Sequence, residues 1–173
     1  GLSACGQEVV REMNALGMMI DMSHAAESSF YDALALSQAP IVCSHSSSRA
    51  LCSHPRNLTD DQMKALAAQG GVAQVTLYHG FLRHEGEATV LDALDHLHHM
   101  VQVMGPEHVG IGTDFDGDGG VRGLKDASEL IGFTRQLLRR RYSESDLQGI
   151  WGGNFLRVMR QVQSSATSHL GLS

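Results

Sequence analysis

Apolar positions along the chain switch between a helical and a strand-like spacing, and that alternation predicts the fold. Residues 6–16 (GQEVVREMNAL) set Val9, Val10, Met13 and Leu16 on one helical face, and Gly17 supplies the stop. The short run Met18–Ser23 predicts a first strand that ends at His24. Residues 26–37 return to helical spacing through Phe30, Ala33, Leu34 and Ser37, and Pro40 closes the connection. A second strand over 41–44 then leads into His45. Two strands joined by such a helix form a parallel βαβ unit.

A Ser-rich polar loop over 46–57 follows, and Thr59-Asp60-Asp61-Gln62 is a capping box that opens a helix over 60–69. Gly70-Gly71 ends that helix before a strand over 72–78 (VAQVTLY) and an irregular polar loop over 79–87. The helix predicted over 88–104 has Val90, Leu91, Leu94, Leu97, Val101 and Met104 as its apolar stripe. A strand over 109–113 (VGIGT) runs into DFDGDGG. The next helix, 126–141, is expected to bury Leu130, Phe133, Leu137 and Leu138. Ser143 with Asp146 caps a further helix, broken at Gly152-Gly153 and resumed to about Gln163. Four strands alternating with helices predict an α/β fold with a parallel sheet and right-handed crossovers. One domain is expected over 1–163, with SSATSHLGLS (164–173) as a frayed tail.

Composition narrows the function classes. The 173 residues are 42% hydrophobic, enough for one core. No run approaches the roughly 18 apolar residues of a membrane segment. A net charge of −6, with basic residues scattered except at Arg139–Arg141, argues against nucleic acid as a partner. Cys5, Cys43 and Cys52 are odd in number and form no CxxC pair, so reduced thiols are expected. Ten histidines draw attention to metal or proton chemistry. Gly1 is not an initiator Met and opens no signal peptide, as expected of a processed or partial product.

Three residues close predicted strands. His24 and His45 fall at the carboxyl ends of neighbouring parallel strands, where α/β folds place their chemistry. A neutral imidazole there is a good zinc ligand, or else caps its strand by hydrogen bonding. Asp114 ends the last strand and reads as a ligand, a general base or a helix cap. Strand parity puts Ile41, Cys43 and His45 on one face, and Gly110, Gly112 and Asp114 on one face. If those faces line a barrel interior, the two glycines leave room below Asp114. The same parity turns Asp21 away from His24 toward the helix layer, where a buried carboxylate needs a partner.

Other polar groups are weighed in the same way. Arg56, beside Asn57 in a polar loop, is either a fork for a carboxylate or an exposed arginine. The run Asp114-Phe115-Asp116-Gly117-Asp118-Gly119 matches the first half of a calcium loop, but Lys125 stands where the twelfth-position Glu is required. Asp95-His96-Leu97-His98-His99 lies mid-helix without an i,i+4 His pair, which favours packing and surface roles over metal.

The strings IDMSH, APIVCSHSSSRALCSHPRNLTDDQ, HVGIGTDFDG and GGNFLRVM resemble the membrane dipeptidase (renal dipeptidase) family of zinc peptidases. The similarity runs in order, at the family's spacing, from about Gly6 to Val162. It implies a (β/α)8 TIM barrel of which this chain holds the C-terminal half, four βα units plus C-terminal helices. It also implies dipeptide hydrolysis through a metal-bound hydroxide, with two zinc ions in the complete enzyme. His24 and His45 match the two histidines that ligate one zinc, so this chain would partly ligand one ion. Arg56 matches the arginine that holds the substrate carboxylate, and Asp114 the aspartate near the bridging water and the substrate amine, a proton acceptor. Phe81 stands where some members have Tyr and offers no hydroxyl.

The family's His-x-Asp, its bridging Glu and a further substrate-binding His have no counterpart here. The expected partners are therefore a dipeptide and an N-terminal half-barrel, with a homodimer among the open assemblies. Two rival readings stand beside this one: a non-catalytic half-barrel that packs on a partner segment, and another metal-dependent amidohydrolase on the same scaffold. The compartment stays open, with a lean to the bacterial cytoplasm.

Overall fold

A computed structural model describes residues 1–166; most of the expected tail, 167–173, lies outside the described residues. Ser3 caps α1 (Ala4–Leu16) by accepting the Gly6 N–H, and Gly17 ends it in the left-handed region at φ 68°. Then come α2 (Glu27–Leu36), β1 (Val42–Cys43), α3 (Asp60–Ala68), β2 (Val72–Val75) and the single turn α4 (His79–Leu82). The chain continues through α5 (Val90–Met104), β3 (Val109–Ile111), α6 (Leu130–Arg139), α7 (Glu144–Gln148) and α8 (Asn154–Ser164). The three strands are parallel in the order β1-β2-β3, as the alternation of elements predicts.

The first predicted strand is reduced to a single bridge. Asp21 lies opposite Val42, the Met22 N–H reaches the Val42 carbonyl at 2.8 Å, and the Val42 N–H reaches the Ile20 carbonyl at 2.9 Å. Asp21 itself stops the ladder, because its Oδ1 accepts the Ser23 and Ser44 N–H groups, both at 3.0 Å. The Ser44 donor would otherwise carry the pairing one step further, to the Met22 carbonyl. The strand expected to reach residue 78 likewise ends at Val75, and the one expected to reach 113 ends at Ile111. The loop over 79–87 holds one turn of helix, and α5 starts at Val90 because Thr89 caps it in a box with Asp92.

Helices pack on both faces of the sheet, most of them on one. Cys43, Ala73 and Val109 share a face through the register, and belong to one core with Met63, Leu66 and Leu97. Val42 and Val72 point the other way, onto Val158 and Val162 of α8. That helix is reached through the expected glycine break, where Gly152 adopts φ 154° between α7 and α8. Asn154 then donates from Nδ2 to the carbonyls of Pro106 and Val109, both at 2.8 Å. Arg157 donates to the carbonyls of Gly70 at 2.8 Å and Glu107 at 2.9 Å. These bonds hold α8 against the turns that precede β2 and β3.

Some predicted stripe residues are not covered. Val9 and Leu16 of α1 and neighbouring Met18 are at least half exposed, as are Leu91 of α5 and Leu138 of α6. Periodicity identifies the apolar face of a helix but not the width of the surface that meets it.

The histidine cluster of α5 is divided among separate tasks. His98 bonds the Tyr142 hydroxyl at 2.9 Å, His99 bonds Asp60 at 2.8 Å, and Asp95 pairs with Arg140. His96 is buried: its Nδ1 accepts the Ser48 N–H at 3.0 Å, and its Nε2 donates to the Leu82 carbonyl at 3.1 Å. This ties the 46–57 loop to α5 and requires a neutral ring, whose pKa burial depresses below the ordinary value. The unfolded chain therefore binds the extra proton first. Stability from this group is complete above about pH 6.5 and falls as the pH drops below that value. The melting temperature should fall between pH 7.5 and 5.5, and H96Q should lower it at pH 7.5 but reduce the further loss on acidification. An acid-induced loss of equal size in both proteins would show that His96 is not the titrating group.

Candidate metal and substrate site

The ends of β1 and β3 and the stub before α2 gather the residues singled out by sequence. Asp21 fixes the first two positions at once. Its Oδ1 holds the backbone N–H groups of Ser23 and Ser44, the residues just before His24 and His45. Its Oδ2 accepts the Ser44 hydroxyl. The Ser23 Oγ also accepts the His45 N–H at 3.0 Å, tying the two turns together. His24 takes φ 72°, a left-handed conformation uncommon for a residue with a Cβ. The result is that His24 Nε2 and His45 Nε2 stand 2.7 Å apart.

Asp21 is exposed and faces this site, so the expected burial against the helix layer does not occur. Parity fails there because the chain is already turning at Ser23–His24 rather than continuing as a strand. The face expected for Ile41, Cys43 and His45 and the one expected for Gly110, Gly112 and Asp114 do not turn to one common side either. The register puts Cys43 with Val109 on the helix side and pairs Gly110 with Gln74 on the other. His45 follows a turn after Cys43, which frees it from strand alternation.

Nor do the glycines leave open room. A Cβ on Gly110 would lie 3.1 Å from the Gln74 side chain, and one on Gly112 would fall 1.7 Å from the Ser44 carbonyl oxygen. Gly112 is what lets the Ser44–Ser46 segment cross the sheet end. The Ser46 N–H then bonds the Gln74 carbonyl at 2.8 Å.

Asp114 follows β3 at φ 58°, again left-handed, and its carbonyl accepts the N–H groups of Gly117 and Gly119 in a tight turn. Arg56 comes from the polar loop, its backbone N–H held by His54 Nδ1 at 3.1 Å and its guanidinium 5.3 Å from the Phe81 ring centre. That is cation–π distance. Its Nη2 is buried and has no hydrogen-bond partner among the described residues. An unsatisfied buried donor costs about 1–3 kcal/mol, more when charged, and such a group is satisfied by an anion. Burial pulls the Arg56 pKa below its ordinary value, while Asp114 is the first of the negative charges that oppose the shift.

Electrostatics favours neutral imidazole at His24. Burial, then the charges of Arg56 and His45, lower the His24 pKa, against the opposing pull of Asp114 and Asp21. A neutral imidazole offers a nitrogen lone pair. A zinc–imidazole bond runs about 2.0–2.1 Å, so nitrogens already 2.7 Å apart need only small side-chain motion to share one ion. The donor set therefore fits half of a zinc site. Among the described residues no group of three or more His, Cys, Asp or Glu side chains is arranged to hold a metal.

The site is an open face. Neither of two depressions elsewhere, of about 580 and 450 Å³, is lined by His24, His45 or Asp114. Sequence reasoning missed Ser44 and Ser23, whose signal was a serine directly before each candidate histidine.

A parallel α/β sheet with imidazoles, a carboxylate and an unpaired guanidinium at its strand ends has the form of a hydrolytic metalloenzyme site. Residues 1–170 match the membrane dipeptidase family (peptidase family M19), and the chain belongs to that family. It is 42% identical over 167 residues to an uncharacterized dipeptidase of Schizosaccharomyces pombe, covering 94% of this chain and 40% of that protein. It is 43% identical over 164 residues to dipeptidase 3 of Homo sapiens, covering 94% of this chain and 34% of that one. The chain thus spans well under half the length of these relatives.

Among solved structures, the probable dipeptidase PvdM from Pseudomonas aeruginosa superposes with a TM-score of 0.93 at 32% identity, over 96% of this chain and 56% of its own. A metallopeptidase from Rhodobacter sphaeroides, liganded with a phosphinate mimic of the dipeptide L-Ala-D-Ala, gives 0.89 at 31% identity over 94% and 47%.

The crossing at Gly112 yields a paired prediction. Gly112→Ala must push the Ser44 carbonyl aside, at about 1–3 kcal/mol, and should lower the melting temperature by several degrees. Gly132→Ala in α6, with nothing within 4 Å of the new Cβ, should be neutral or stabilising. Equal thermal melts for wild type and G112A would show that the crossing is not tight.

Proposed function

We propose that the chain is the C-terminal half of a (β/α)8 barrel dipeptidase, with His24 and His45 as nitrogen ligands to one of two zinc ions. The carrying observation is the meeting of His24 Nε2 and His45 Nε2 at 2.7 Å beside a guanidinium with a buried, unpartnered N–H. A half-barrel is supported by the two sheet edges, β3 and the Asp21 stub, which pair with no further strand in the described sheet. Coverage of 47–56% of the similar solved structures supports the same reading. The remaining ligands would come from segments that the longer relatives carry.

Zinc, when bound, supplies Lewis acidity at the scissile carbonyl and a water activated for attack. The chain's own groups do the rest. Arg56 grips the free C-terminal carboxylate of the substrate, which selects molecules of dipeptide length and fixes the carbonyl in register. Phe81 lies at cation–π distance from the guanidinium and helps to hold it in place. Asp114, held by its turn near the strand end, accepts the proton of the attacking water and returns it to the leaving amine. A dipeptide as substrate is supported by the dipeptide mimic bound to the Rhodobacter sphaeroides relative. The clamp also weighs against an amidohydrolase whose substrate lacks a free carboxylate, because Arg56 would then keep its unpaired donor.

Arg56→Lys in a form of the protein that turns over dipeptides should raise KM about tenfold to a hundredfold, since a bond to a charged group contributes roughly 1.5–3 kcal/mol. Dipeptide amides should lose the same discrimination between wild type and variant. Unchanged dipeptide kinetics in R56K would remove Arg56 from substrate binding.

A further inference from the structure

We propose that Asp21 and Ser44 are positioning residues that lock His45, and not His24, in the tautomer that presents its Nε2 lone pair to a metal. The assignment follows from counting protons. Ser44 Oγ touches two groups: Asp21 Oδ2, and His45 Nδ1 at 2.7 Å. A hydroxyl carries one proton, and a carboxylate accepts only. The Ser44 proton therefore goes to Asp21, and the oxygen that remains can only accept from His45. His45 Nδ1 is thus the protonated nitrogen, and Nε2 is left with its lone pair.

The rest of the geometry agrees. Asp21 Oδ1 is occupied by the Ser23 and Ser44 N–H groups, so the carboxylate cannot turn away from the hydroxyl. His45 is pinned from its backbone as well, by its N–H on Ser23 Oγ. With Nε2 of His45 an acceptor, the 2.7 Å contact between the rings needs His24 to donate from its own Nε2. His24 Nδ1 has no bond among those described, so only this contact with His45, which a metal between the rings would replace, keeps the His24 proton on Nε2. The two histidines are therefore unequal. His45 is preset for a metal, whereas His24 must move its proton from Nε2 to Nδ1 before it can follow. A carboxylate that orients a ligating histidine is a general device, usually by direct contact; here a serine hydroxyl is inserted between them.

This inference rests on the zinc reading of the site, but its decisive readout is independent of metal. Long-range nitrogen–proton NMR of the metal-free chain at pH 8 distinguishes the two tautomers of each histidine. Wild type should show His45 protonated at Nδ1, and His96 protonated at Nε2 because its Nδ1 accepts from Ser48. Ser44→Ala should release His45 to the Nε2 form or to a mixture, Ser44→Thr should restore Nδ1, and the unchanged His96 signal should certify folding. Asp21→Asn should act like Ser44→Ala at His45. Zinc added to the same samples should shift both ring signals, with an affinity on the order of ten- to a hundredfold weaker in S44A than in wild type.

His45 protonated at Nε2 in wild type, or still fixed at Nδ1 in S44A, would overturn the relay. A relay that passes while zinc leaves His24 and His45 unshifted supports the tautomer assignment and overturns the metal reading alone.

Discussion

The Asp21 carboxylate is the interaction on which the site depends. It accepts the backbone donors of Ser23 and Ser44 and the hydroxyl of Ser44, drawing together two turns that lie more than twenty residues apart in sequence. A histidine follows directly in each turn, so one acidic side chain sets the separation of both imidazoles. The same bonds end the pairing of the first strand segment with β1. The carboxylate exchanges a stretch of regular sheet for a fixed pair of left-handed and looped backbones, a local departure of the kind that accumulates at functional sites.

Much of the layout was legible in the order of apolar positions. Helix starts were readable because their caps are side-chain chemistry written at fixed offsets, as at Thr59 with Gln62 and Ser143 with Asp146. The break at Gly152 was readable because the backbone there takes a left-handed φ that few residues but glycine adopt. The carboxyl ends of the strands were less legible. Parity holds only while the ladder holds, and the ladder stops as soon as Asp21 or a serine supplies other partners. Residues beyond that point, His45 and Asp114 among them, are aimed by turns, and turns do not follow a period of two. The space beneath Asp114 was misjudged for the same reason, since the Ser44 carbonyl, not open volume, lies against Gly112.

Packing explains why the site can be exposed without being loose. Cys43, Ala73 and Val109 are fully buried against the helices, and Val42 and Val72 are sealed by α8 on the opposite face. The strands therefore form a rigid base, while the chemistry sits on the short segments just past their ends. The uncovered apolar side chains of α1 and neighbouring Met18 lie close in sequence to the Asp21 edge of the sheet. The relatives are more than twice as long as this chain.

The central claim is that His24 and His45 converge on one metal ion. Anomalous diffraction at the zinc edge from zinc-soaked crystals tests it most directly. The account predicts a peak bonded to His24 Nε2 and His45 Nε2 at about 2.0–2.1 Å, close to the Arg56–Asp114 side of the sheet ends. Zinc found only at the histidines of α5 or at a cysteine, with the 2.7 Å imidazole contact intact, would contradict it.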